Sequence, residues 1–176
     1  MINNPHQDNP IILDIEASGF GTGSYPIEVG IALPDKSTHC YLVKPIDEWT
    51  HWNMGAEEVH GISRALLIEK GRPLDEVANH LNHYLKSKTV YSDGWGYDMS
   101  WLTLLFEKAA IRMDFKIETL YTLLHDDQLV LWEKMRLRVI EDLGIKRHRA
   151  SSDARIIQET YIRTRDILRE QSVGTQ

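Results

Sequence analysis

The sequence has only one cysteine, Cys40, which excludes an internal disulfide bond. The alternating segment THCYLVK around it predicts a half-buried strand position and does not indicate a nucleophile. A chain of 176 residues, 42% hydrophobic and 26% charged, buries enough surface to fold without a cross-link. We expect a single domain over residues 1–176, with flexible termini, in a reducing compartment.

Long apolar runs are also absent. No stretch approaches the roughly 18 apolar residues that a membrane-spanning helix requires. The polar start MINNPHQDNP lacks the basic and then apolar pattern of a secretory signal. These absences argue against a membrane protein and predict a cytoplasmic location.

Positive charge is scarce, with 20 Lys and Arg against 26 Asp and Glu and a net charge of -6. This balance argues against a protein that coats nucleic acid through bulk attraction. Residues 134–169 nevertheless hold ten Lys and Arg against five Asp and Glu. This basic segment indicates either local contact with an anionic backbone or a solvated helix face, and charge alone does not separate the two.

The order of the apolar segments predicts an α/β fold with a mixed, five-stranded sheet flanked by helices. Three short apolar runs separated by turn residues, NPIILDIEAS, PIEVGIALP and STHCYLVKP, predict three antiparallel strands. An irregular stretch is expected from Pro45 to about His60. Helices are then predicted at ISRALLIEKG, PLDEVANHLNHYLKS, DMSWLTLLFEKAAI, 119–143 and 151–171, and further strands at KTVYSD and FKIETL.

Two carboxylates follow the apolar start of the first predicted strand. Asp14 and Glu16 are two residues apart, so their side chains lie on the same face of the strand. Close carboxylates repel each other unless a cation lies between them, and hard divalent metals prefer oxygen ligands. The pair predicts half of a metal site, although an Asp-x-Glu pair at an exposed strand end also occurs by chance.

Further candidate residues come later in the chain. Asp98 lies at a loop-to-helix junction after the fourth strand, and His148 precedes Asp153 by five residues at the start of the last helix. Ser151 or Ser152 is the predicted N-cap, which places Asp153 in a first turn where the helix dipole favours an anion. Each residue alone also fits a capping or surface role, and it is their order that predicts a site.

With these residues in place, the sequence resembles the DEDD superfamily of 3′–5′ exonucleases, in its DnaQ-like, DEDDh branch with a ribonuclease H-like fold. The resemblance runs from about Ile11 to Tyr161. LDIEASG resembles the first family motif, YDMSWL the second and HRASSDA the third, and EVHGIS resembles a stretch common between the first two. The chain departs from the family at Ala17, and at Asp93 and Gly94, where a His-Asn pair is usual. These departures put substrate preference in doubt.

The resemblance implies hydrolysis of terminal phosphodiester bonds of single-stranded RNA or DNA from the 3′ end, with release of nucleoside 5′-monophosphates. It implies two divalent ions, Mg²⁺ or Mn²⁺, with Asp14 as a ligand of both. Glu16 and Asp153 would complete one ion site and Asp98 would support the other. His148 would be the general base, since histidine has an ordinary pKa of about 6.5.

Substrate contacts are expected around these residues. The backbone after the carboxylate pair is able to approach a terminal nucleotide closely because a glycine has no side chain. Aromatic rings near the first two motifs are candidates for stacking on a base, and an arginine beside the third motif is a candidate for holding a phosphate. The predicted substrate-binding residues are Ser18, Gly19, Phe20, Trp52, Tyr97 and Arg149, with Arg147 and Arg155 as further phosphate candidates.

Three other interpretations stay open at this level. The first is a weak or inactive protein of the same fold that binds nucleic acid or a partner. The second is a metal-free hydrolase with two carboxylates, which leaves the order of Asp98, His148 and Asp153 unexplained. The third is a plain binding module. A homodimer is also expected, because several Trp and Leu residues lie in segment 119–139.

Overall fold

The computed structural model describes residues 9–173 and contains a five-stranded sheet with the strand order β3-β2-β1-β4-β5. The strands are β1 (Ile11–Ala17), β2 (Pro26–Ala32), β3 (Thr38–Leu42), β4 (Thr89–Ser92) and β5 (Lys116–Thr119). β1, β2 and β3 pair antiparallel, whereas β1, β4 and β5 run parallel. The predicted α/β class and mixed sheet are confirmed. The expectations for the two termini concern residues outside the described range.

Helices follow the third strand and alternate with the last two. They are α1 (Met54–His60), α2 (Arg64–Lys70), α3 (Leu74–Leu85), α4 (Trp95–Ala109), α5 (Asp126–Leu143) and α6 (Ala150–Val173), with a 3₁₀ turn at Leu120–Thr122. Between residues 9 and 173, no helix is both long and apolar enough to cross a membrane.

Two helix predictions were wrong in their bounds. The stretch predicted to be irregular up to about His60 contains α1, which has only seven residues and is specified by its caps rather than by apolar periodicity. Asn53 accepts a hydrogen bond from the Ala56 N–H, and Gly61 ends the helix in the left-handed conformation. The helix predicted from residue 119 starts only at Asp126, because His125 and Gln128 form a capping box there.

Two layers of helices cover the sheet. Alternation along β1 places Leu13 and Ile15 in the core on the face covered by α3 and α4. Ile12 packs on the other face with Trp132 and with residues of α6. Cys40 lies on the edge strand β3, and its side chain is exposed rather than half-buried as predicted, because an edge strand has a neighbouring strand on one side alone.

The start of α6 lies directly on β2 at Gly30. A Cβ atom at this position would overlap the backbone of Ala150 and Ser151. Gly30 is the register partner of Asp14 in β1. The close approach that glycine permits therefore sets the first turn of α6 beside the carboxylate pair.

Candidate active site

The first two candidate residues come from the sheet itself. Asp14 and Glu16 are half-buried near the carboxyl end of β1, on the face covered by α6. The parallel strand β4 ends beside them at Ser92 and leads into α4. The carboxyl ends of parallel strands are where α/β sheets place ligands.

The next candidate comes from the first turn of α4. Asp98 is only 3% exposed, and its Oδ2 accepts a hydrogen bond from the Ser92 hydroxyl. Gly94 lies against this carboxylate, since a Cβ there would be 3.2 Å from Asp98 Oδ2. The site therefore depends on a small residue where the sequence departs from the family pattern, and Asp98 profits from the N-terminal end of the α4 dipole.

His148 and Asp153 are joined by a backbone hydrogen bond. His148 has a left-handed φ of 60°, and its N–H donates to Asp153 Oδ2 at 2.7 Å. α6 begins one residue earlier than the predicted Ser151 or Ser152 cap requires, because the carbonyl of Arg149 accepts from the N–H groups of Ser152 and Asp153. An uncommon conformation of a non-glycine residue at such a place suggests a functional constraint.

The carboxylates raise the pKa values of one another. Burial raises the pKa of Asp14 well above its usual value, and the charge of Asp98 adds to this effect. Burial and the charge of Asp153 raise the pKa of Glu16 to about 7. Burial also raises the pKa of Asp98 to about 7, although the hydrogen bond from Ser92 opposes the shift. A group of carboxylates held this close is one that a cation would stabilise.

The donor atoms present fit a divalent metal ion. One ligand atom each of Glu16, His148 and Asp153 lie within 4.8 Å of one another. Asp153 Oδ1 is buried and has no hydrogen-bond partner among residues 9–173. A buried carboxylate oxygen without a partner is costly, and a hard cation coordinated by oxygen would satisfy it.

An open pocket of about 580 Å³ lies beside these carboxylates. Gly19, Phe20 and Tyr97 line it together with Asp14, Asp98 and His148, so the structure brings these predicted residues together. The Phe20 and Tyr97 rings lie 5.1 Å apart and are 69% and 59% exposed. None of the described residues that line the pocket is Lys or Arg. Its walls suit an apolar ring better than an isolated anion.

His60 also lines the pocket, and no role was predicted for it from the sequence. It is 2% exposed, and its Nδ1 accepts a hydrogen bond from the Ile62 N–H at 3.0 Å. Its Nε2 is buried without a partner within the described part of the chain. The one signal in the sequence was the segment EVHGIS, which carries no information about where this side chain lies.

Three predicted substrate residues have protein partners instead of lining the pocket. The Ser18 hydroxyl is buried, accepts from the Tyr25 N–H at 3.1 Å and bonds to His51 Nδ1 at 2.9 Å. The Trp52 Nε1–H donates to Glu57 Oε2 at 2.6 Å. The third of them, Arg149, is paired with a carboxylate. Partners at such sequence distances cannot be read from a local motif.

Arg149 holds the loop before α6 onto the sheet. Its guanidinium donates to both oxygens of Glu28, which is fully buried on β2, at distances from 2.5 to 3.1 Å. The Ala150 N–H donates to the same carboxylate at 2.8 Å. Because Glu28 is the register partner of Glu16, this ion pair sets His148 and the start of α6 next to the carboxylates.

Replacing Arg149 by alanine should destabilise the protein, because it leaves the buried Glu28 carboxylate with fewer partners. Breaking a buried pair costs about 3 kcal/mol or more, and the remaining Ala150 hydrogen bond reduces this figure. Chemical unfolding measures the loss, with Arg147→Ala, an exposed arginine of the same loop, as the control. Unchanged stability with a raised KM would instead indicate that Arg149 contacts the substrate directly.

Comparisons with known proteins place the fold. No protein-family model matches the sequence, and no curated protein is similar to it. E. coli exonuclease I in complex with a dA16 oligonucleotide is similar in structure, with a TM-score of 0.62, 15% identity, and coverage of 90% of this chain and 41% of that one. The zinc-bound exonuclease I complex with single-stranded DNA gives a TM-score of 0.60 at 14% identity, covering 94% and 42%. The chain thus shares the fold of exonuclease I and spans about two fifths of its length.

Proposed function

We propose that the protein is a metal-dependent 3′–5′ exonuclease of the DEDDh type, acting on single-stranded nucleic acid and releasing nucleoside 5′-monophosphates. The observation that carries the proposal is the convergence of Asp14, Glu16, Asp98, His148 and Asp153 at one edge of the sheet, beside an open pocket. The fold shared with exonuclease I, which was solved with DNA oligonucleotides, supports it. All five residue types of the DEDDh set are present in family order.

Four carboxylates would hold two divalent ions, Mg²⁺ or Mn²⁺. Asp14 lies between its neighbours electrostatically, because its pKa responds to Asp98, Glu16 and Asp153 alike, and it is the candidate for binding both ions. Glu16 and Asp153 would hold one ion and Asp98 the other. When bound, a pair of such ions lowers the pKa of a water nucleophile and stabilises the leaving oxygen of an in-line displacement.

His148 would accept the proton of the attacking water. Its place at the mouth of the pocket, with its backbone held by Asp153, orients the imidazole toward the carboxylate edge. The pocket walls would receive the terminal nucleoside, with its base against the Phe20 and Tyr97 rings, since stacking of this kind is tolerant of sequence. These roles together describe removal of one nucleotide at a time.

A gel assay tests the proposal directly. Purified protein is incubated with matched 5′-labelled single-stranded RNA and DNA in Mg²⁺, Mn²⁺ or EDTA. Stepwise shortening from the 3′ end that EDTA abolishes is expected, and the relative rates on the two strands identify the preferred substrate. Binding without any shortening would support an inactive nucleic-acid-binding protein, and hydrolysis that survives EDTA would support metal-free chemistry.

Replacing His148 by glutamine should lower kcat by about 10²- to 10⁴-fold, the usual contribution of a general base. Metal binding should persist, because the carboxylates remain, and calorimetric titration with Mn²⁺ measures it. His83→Gln is the matched control, since His83 is exposed near the end of α3. A variant that loses Mn²⁺ binding along with its activity would make His148 a metal ligand rather than a base.

A further inference from the structure

One arginine near the carboxylates has no partner of its own. Arg136 is half-buried on α5, and its Nε is buried without a hydrogen bond to any residue between 9 and 173. The part of the chain that the structure describes shows no ion pair for it either. Burying a guanidinium N–H without an acceptor is unfavourable, so this group is poised for an anion that the chain does not supply.

The packing of α5 fixes where this guanidinium lies. Trp132, one turn before it, packs against Ala154 of α6, and Val139, three residues after it, packs against Ile156. Arg136 is therefore on the α6 side of α5, close to the helix that carries Asp153. Its charge lowers the pKa of Asp93, which burial raises, and this effect places Arg136 within electrostatic reach of the turn after β4.

The other arginines near the third motif have partners or are fully solvated. Arg149 is paired with Glu28, and Arg155 with Gln158 and Glu159. Arg147 is exposed, so it is not held in one orientation by its surroundings. Arg136 is the arginine that combines proximity to the carboxylates, partial burial and unused donors.

The position of Arg136 relative to the pocket indicates which phosphate it would meet. The pocket is built from α1, α4 and the loop at Phe20, whereas Arg136 belongs to the α5 and α6 layer. Glu16, His148 and Asp153 contribute the ligand atoms at the carboxylate edge, and Arg136 lies beyond them next to Asp93. A strand with its last nucleoside in the pocket and its last linkage at the carboxylates would continue toward α5.

We propose that Arg136 binds the phosphate one linkage inward from the bond that is cleaved, an inference that rests on the proposed exonuclease function. The planar guanidinium supplies several N–H donors to phosphate oxygens. The inference makes Arg136 a positioning residue for substrates of three or more nucleotides. A dinucleotide has a single linkage and leaves this contact empty.

The test compares Arg136→Gln with wild type on 5′-fluorescein oligothymidylates of two and three nucleotides. Binding is measured in EDTA, and turnover is measured in Mg²⁺. We expect Arg136→Gln to weaken trinucleotide binding by about tenfold or more, as for other hydrogen bonds to charged groups, with dinucleotide binding unchanged. Arg136→Lys should keep part of the affinity, since it keeps the charge but not the fork of donors.

Matched controls separate this role from structural and neighbouring effects. Arg138→Gln removes an exposed arginine from the same helix, and Arg147→Gln removes the other arginine near the site without a partner. Equal losses on both lengths, or a loss that Arg147→Gln reproduces, would overturn the proposal, as would a wild type that binds neither oligonucleotide in EDTA. Because binding is read without turnover, a failed gel assay with a length-dependent loss would remove the exonuclease function and leave phosphate recognition by Arg136 in place.

Discussion

Asp14→Asn is expected to reduce exonuclease activity by about 10³-fold or more while leaving the fold intact. Metal ions contribute several kcal/mol to such reactions, and each 1.36 kcal/mol is about a factor of ten in rate. Asp14 is the carboxylate whose pKa responds to the largest number of acidic neighbours in the site, so its loss disturbs every candidate ligand at once. The gel assay with Mg²⁺ measures the loss, and Asp75→Asn, an exposed aspartate of α3, is the control.

Thermal unfolding distinguishes lost chemistry from a lost fold. A neutral amide at position 14 removes repulsion with Asp98, Glu16 and Asp153, so the variant should unfold at the same temperature as wild type or higher in EDTA. Added Mn²⁺ should raise the unfolding temperature of wild type and have little effect on the variant, because ligand binding stabilises the folded state alone. A variant that retains full activity would show that Asp14 is not a metal ligand.

The same carboxylates give the metal-free protein a defined pH dependence. Glu16 has a pKa of about 7 in the folded protein against an ordinary value of 4.5, so the folded state binds more protons than the unfolded state between these two values. The free energy of unfolding therefore falls as the pH rises through this window in EDTA. Asp14→Asn should reduce this fall, since it removes one of the buried acids that hold protons there.

The sheet and the metal-binding edge could be predicted because both depend on local sequence patterns. The alternation in ILDIEA puts Asp14 and Glu16 on one strand face whatever the rest of the chain does. Asp98 and Asp153 were predicted at helix starts, where turn and capping residues mark the boundary, and the structure has both in first turns. Short-range rules of this kind need no knowledge of tertiary contacts.

Partners that are distant in the sequence could not be predicted in this way. Arg149 appeared to be a phosphate contact because it lies beside the third motif, yet its acceptor is Glu28, 121 residues away. The unused donor of Arg136 and the unpartnered Nε2 of His60 follow from packing between helices and sheet, which no periodicity encodes. The exposure of Cys40 likewise depends on which strand forms the sheet edge.

Gly30→Ala is expected to destabilise the protein by about 1–3 kcal/mol or more and to lower activity along with stability. The new methyl group would overlap the backbone of Ala150 and Ser151, and backbone atoms of a packed helix start cannot move aside as a flexible side chain does. α6 must therefore lift from β2 at its first turn. Asp153 and His148 would move with it, away from Glu16.

Gly96→Ala is the matched control for this substitution. Gly96 lies in the first turn of α4, and a Cβ there would meet no atom within 4 Å. Alanine at this helical position should leave stability unchanged or raise it by up to about 1 kcal/mol, because alanine loses less backbone entropy on folding than glycine. Urea unfolding of the two variants gives the difference, and Mn²⁺ titration reports whether the ligands still converge.

The two measurements on Gly30→Ala together locate the requirement for glycine. If the variant folds stably and binds Mn²⁺ as wild type does, α6 has room to adjust and Gly30 does not determine the position of Asp153. If Mn²⁺ binding weakens more than the loss of stability accounts for, the contact between β2 and the start of α6 is what holds the ligand group together. We expect the second result, because Gly30 is opposite Asp14 in the sheet and beneath the turn that carries Asp153.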